Sequence, residues 1–115
     1  MQIIYNPRCR KCQNLRSALD DAGKEWEEVA YLKNLLDRDR IAEIFDASPG
    51  NWHDLIRTKE RIFVQKRIEL KSLSRTEGIK LIYDHPRLLQ RPIALKDGVA
   101  YIVRDDRALA DLIQG

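Results

Sequence analysis

"IIYNPRCRKCQNL", residues 3–15, decides how this chain folds. An apolar run ends in Asn6-Pro7, a turn-forming pair, and Cys9 and Cys12 follow three positions apart among Arg8, Arg10 and Lys11. Leu15, Ala18, Leu19 and Ala22 then recur at helical spacing, which predicts a helix over about 11–22. Gly23 suits the left-handed position that ends it. Residues 1–5 read as a short buried strand and residues 26–31, "WEEVAY", as a second, completing a β-α-β unit. Such a unit favours parallel strands joined by a right-handed crossover.

Both thiols therefore sit at the mouth of a helix. Cysteine attacks as its thiolate, and a helix N-terminus with neighbouring cations stabilises that anion. Cys9 is the expected nucleophile. Cys12, one turn later, is placed to attack a sulfur adduct on Cys9 and release it as a disulfide. Asn6 and Pro7 are expected to shape the turn that presents Cys9, with Asn6 able to bond local backbone or the thiolate. Gln13 can reach the same anion from the helix start.

From Asp37 to about Asp84 the pattern is helical. "DRDRIAEIFDA" places Ile41, Ile44 and Phe45 on one face, and "SPGN" at 48–51 breaks it. A further helix is expected from about His53 into the 60s, and Ser74-x-x-Glu77 reads as a capping box opening another. After His85-Pro86, strands return at 91–95 and 99–103 around Asp97-Gly98, a strong hairpin signal, and "DDRALADLI" closes as a short helix. The order is β-α-β, a helical insertion at about 37–85, then β-β-α: an α/β thioredoxin-like fold with a mixed central sheet. In that fold a cis proline precedes the third strand and lies beside the redox cysteine, a place that Pro92 fills.

A chain of 115 residues suits one domain, 1–115. It begins without a signal-like segment and has no run of roughly 20 apolar residues, so a cytoplasmic protein with no membrane partner is expected. Thiols stay reduced there, which makes a close cysteine pair catalytic, redox-sensing or metal-binding rather than a structural staple. Zinc would need about two further ligands, and only His53 and His85 remain, without ligand spacing; no metal is expected. The net charge of +3 permits an anionic ligand. Basic and acidic residues are nevertheless interleaved, so direct nucleic-acid binding is not expected. No nucleotide motif points to a bound cofactor, and a monomer is the default.

"YNPRCRKCQNLRSALDDAG", "LIRTKE", "HPRLLQRPIAL" and "AYIVRDD" together resemble the arsenate reductase family, thioredoxin-like proteins that work with glutaredoxin and glutathione. The resemblance spans essentially the whole chain. It implies that Cys9 is the catalytic cysteine and that Arg57, Arg91 and Arg104 bind the oxyanion, whose tetrahedral oxygens suit planar guanidinium forks. The adduct would be resolved by Cys12 or glutathione, with glutaredoxin or thioredoxin as reductant.

Two positions depart from those enzymes. Tyr5 stands where they carry histidine, and they lack a cysteine at the place of Cys12. A Cys-x-x-Cys pair here resembles the Spx-type regulators, which bind RNA polymerase and use the pair as a redox switch. Three readings follow: an oxyanion reductase, a redox-sensing regulator, and a general protein-thiol/disulfide reductase. Arg57 and Arg104 match the enzymes better and favour the first.

Overall fold

The computed structural model describes residues 1–33 and 35–114. Strand β1 (Gln2–Ile4), helix α1 (Arg10–Asp21) and strand β2 (Glu27–Val29) form the β-α-β unit, with β1 and β2 parallel and Ile3 opposite Glu28. Gly23 follows α1 at φ +68°, in the left-handed region. Strand β2 stops short of residue 31 because the Tyr31 amide turns back to the Val29 carbonyl at 2.9 Å, a three-residue turn.

Strands β3 (Ile93–Lys96) and β4 (Val99–Ile102) form the hairpin around Asp97 and Gly98, both at positive φ, as a type I′ connection requires. Strand β3 runs antiparallel to both β1 and β4, giving a mixed sheet in the order β2-β1-β3-β4. The Arg91–Pro92 peptide is cis. Helix α5 (Asp106–Gln114) follows the hairpin.

Between β2 and β3 lie α2 (Arg38–Ala47), α3 (Arg61–Gln65) and α4 (Arg75–Asp84) with three 3-10 turns. Asp37 caps α2 by accepting from the Arg40 amide, and Ser74 and Glu77 form both halves of the capping box on α4. The helix expected from His53 into the 60s is broken. Residues Trp52–Leu55 make a 3-10 turn, Ile56 is extended and helix resumes only at Arg61. A tertiary clamp overrides the local pattern: Ile56 pairs antiparallel with Leu89, the Arg57 amide donates to the Leu88 carbonyl at 2.7 Å, and the Gln90 amide to the Leu55 carbonyl at 2.8 Å. That clamp ties Arg57 to the segment leading into Arg91.

Successive side chains of β1 point to opposite faces, so Ile3 and Ile4 enter different cores. Ile4 joins Tyr31, Ile44, Leu55, Leu88 and Ile93 beneath the helical insertion. Ile3 joins Tyr5, Cys12, Leu15, Leu19 and Leu112 against α1 and α5.

Candidate active site

Cys9 precedes α1 and is presented by a tight turn. The Asn6 carbonyl accepts from the Cys9 amide at 3.0 Å, Pro7 occupies the second turn position, and Asn6 Oδ1 accepts from the Arg8 amide at 3.0 Å. The Gln13 side chain donates to the Pro7 carbonyl at 2.6 Å. Gln13 therefore braces the loop instead of serving the anion, and Asn6 bonds local backbone.

The first turn of α1 holds Arg10 and Lys11 and no acidic side chain, so its positive end is left for the sulfur. Burial pushes the Cys9 thiol up, but the Cys12 amide and thiol, the Lys11 amide and the Arg91 guanidinium outweigh it and bring the thiol below its ordinary value. Cys12 is fully buried. Burial dominates there, negative charge on Cys9 adds to it, and the Asn6 amide, 3.5 Å from Sγ, opposes both only in part; the thiol is pushed up to about 12. The pair is polarised: the partly exposed Cys9 gives up its proton more readily than an ordinary thiol, and the buried Cys12 holds its own more tightly.

A cleft of about 730 Å³ opens beside Cys9, with Asn6, Arg8, Lys33, Arg87 and Arg91 in its walls. Those cations face Glu28 and Glu60. The Arg91 guanidinium donates to the Arg87 carbonyl at 3.2 Å. Pro92 is buried behind it, and its carbonyl accepts from the Val103 amide at 3.1 Å. Arg57 is not in the cleft wall; it is paired at 3.1 Å with Glu60, which is.

The structure does not bring Arg104 to this place. Its exposed guanidinium donates to the Asp54 carbonyl at 3.1 Å and borders a separate small cleft with Lys11 and Asn14. Tyr5 is a buried wall residue packed against Trp26, with ring centroids 5.8 Å apart. Sequence reasoning missed Lys33, Glu60 and Arg87. Only Glu60 carried a signal, its i,i+3 spacing from Arg57. No helix among the described residues is long and apolar enough to cross a membrane.

Known proteins match the chain along most of its length. The ArsC family profile matches residues 4–112. An arsenate reductase from Neisseria meningitidis serogroup A is 30% identical over 105 residues, 90% of each chain. The global transcriptional regulator Spx of Streptococcus mutans is 29% identical over 93 residues, 81% of this chain and 68% of the regulator. The solved arsenate reductase of Vibrio cholerae, 21% identical, superposes with a TM-score of 0.82 over 99% of this chain and 97% of its own, and shares the thioredoxin-like fold. With the family profile matched almost from end to end and a relative of 30% identity covered over nine-tenths of its length, this protein belongs to the ArsC family.

Proposed function

We propose that this protein is a thiol-dependent oxidoreductase whose Cys9 attacks an arsenate-like oxyanion in the cytoplasm. The observation that carries the reading is the depressed Cys9 thiol at a helix N-terminus, opening into a cleft that Arg91 lines. Arg91 and Arg57 neutralise and orient the oxyanion. Cys9 sulfur displaces one oxygen, which leaves as water after protonation, and a sulfur–arsenic bond forms. A second thiol then attacks Cys9 sulfur. A disulfide forms, the sulfur–arsenic bond breaks, and its electron pair stays on arsenic, reducing it from the pentavalent to the trivalent state.

Cys12 suits the second step despite its high pKa. Once Cys9 is in an adduct its negative charge is gone, and with it one of the causes that hold the Cys12 proton. Its position one turn away gives it a high effective concentration against glutathione from solution. An internal disulfide would be reduced by thioredoxin, a glutathione mixed disulfide by glutaredoxin.

The relationship to Spx supports a second reading, in which the Cys9–Cys12 state controls docking to RNA polymerase. The deciding experiment follows NADPH oxidation with arsenate, in parallel with glutathione plus glutaredoxin and with thioredoxin plus its reductase. Turnover that vanishes in Cys9→Ser is expected, and Cys12→Ser identifies the resolving thiol. No turnover in either system, with a reversible Cys9–Cys12 disulfide intact, would overturn the reductase reading in favour of the regulator or of protein-thiol substrates.

A further inference from the structure

Cys9 opens to solvent through its cleft, whereas Cys12 is fully buried. A disulfide between them can therefore be attacked only at the Cys9 sulfur, although Cys9, with the lower pKa, is the better leaving group. Access overrides leaving-group quality. Any thiol that reduces the pair has to enter the Cys9 cleft.

That cleft continues beyond its own wall. Leu32, Glu60 and Arg87 also line a second hollow of about 540 Å³, so the two adjoin. Leu35, 65% exposed, gives the second hollow an apolar surface together with the half-buried Leu32, Ile62 and Pro86. Its carboxylates are already engaged, Glu60 with Arg57 and Asp84 with Lys80. Arg61 and Arg87 are exposed and form no ion pair among the described residues. An apolar patch rimmed by free positive charge thus borders the entrance to the reactive sulfur. The complement of such a patch is a protein surface with apolar and acidic side chains.

We propose that this second hollow is the docking surface for the dithiol protein that reduces the Cys9–Cys12 disulfide, a thioredoxin-type partner with apolar and acidic residues around its own nucleophilic cysteine. The partner's thiolate attacks the Cys9 sulfur, and the bond to Cys12 breaks. Cys12 leaves with the electron pair and takes up a proton, which its burial favours. The partner's second thiol gives up its proton and attacks the partner's first sulfur, so that Cys9 leaves as thiolate. Both thiols of this chain end reduced and the partner ends as a disulfide. The inference rests on the reading that Cys12 resolves the Cys9 adduct. It adds a surface outside the Cys9 cleft, which a small thiol does not need.

Leu35→Asp and Arg61→Glu test it, because both side chains are exposed and neither lines the Cys9 cleft. The purified protein and both variants are oxidised to the internal disulfide with diamide. Reduction is then timed with thioredoxin, its reductase and NADPH, and separately with dithiothreitol. The second-order rate constant with thioredoxin is expected to fall about tenfold in each variant, as for loss of one well-placed interface contact. The rate with dithiothreitol should not change. Unchanged reduction by thioredoxin overturns the inference, and sedimentation of the free protein then shows whether a second copy covers the patch instead. An equal loss with dithiothreitol also overturns it, since the variant has then disturbed the thiol site. A faster reaction in Arg61→Glu would rule out an acidic partner and overturn it too. If diamide forms no internal disulfide, the resolving role of Cys12 falls first and takes this inference with it.

Discussion

Cys9 and Cys12 are the same side chain one helical turn apart, with pKa values driven in opposite directions by burial and by the groups that face each sulfur. Arg91 matters twice at this scale, since it lines the cleft and helps lower the pKa of the Cys9 thiol. Arg91→Ala is therefore expected to lower kcat/KM for arsenate by about 10²–10³, the usual effect of removing one oxyanion donor, and to move the pH profile of Cys9 alkylation to higher pH. Arg104→Ala should change kcat/KM less than about threefold and leave that profile in place; a loss matching Arg91→Ala would return Arg104 to the site. The place of Cys9 at the start of α1 was legible in the sequence because the turn and helix start are local to residues 6–13. The destination of Arg104 was not, because it is set by a carbonyl 50 residues away.

Among the elements, α1 is held by packing more than by its cap. Cys9 makes no side-chain capping hydrogen bond, a contribution usually near ~1 kcal/mol, whereas buried Leu15 and Leu19 contribute roughly 1.5–3 kcal/mol each. The sulfur is thereby free to serve chemistry without endangering the helix. In α4 the constraint is steric. Trp52 stacks on Phe45 with centroids 5.1 Å apart, and a Cβ on Gly78 would meet Trp52 Cζ3 at 2.5 Å. Helix propensity favours alanine by about 1 kcal/mol, but overpacking costs about 1–3 kcal/mol, so Gly78→Ala should lower stability by up to about 2 kcal/mol and perturb Trp52 fluorescence. A raised Tm in that variant would show that Trp52 gives way freely. The capping box at Ser74 and the Asp97-Gly98 hairpin were readable because each is complete within four residues. The break at Ile56 was not, because it depends on a partner at Leu89.

At the scale of the molecule, the two thiols give stability opposite responses to pH. The folded pKa of Cys9 is depressed, so its contribution is complete above its ordinary value of 9.0 and is lost as pH falls through the folded value. Cys12 is raised, so its contribution is complete below 9.0 and is lost as pH climbs toward about 12. Tyr31 adds a loss of the second kind above 10.0. Thermal melts between pH 9 and 10 should therefore show a steeper alkaline decline in the unsubstituted protein than in Cys12→Ala, while Cys9→Ser should flatten the rise below pH 9. Parallel curves for Cys12→Ala and the unsubstituted protein would contradict the buried, protonated state of Cys12.

The sheet order β2-β1-β3-β4 leaves β2 on the outside, and that strand is three residues long with Glu27 and Glu28 exposed. Unpaired strand margins are templates for uncontrolled addition of further chains. Here a second copy arriving in register would press two more carboxylates against the first two, while so short a ladder returns few hydrogen bonds. The β-α-β unit that builds the thiol site thus also carries its own safeguard against aggregation along the sheet.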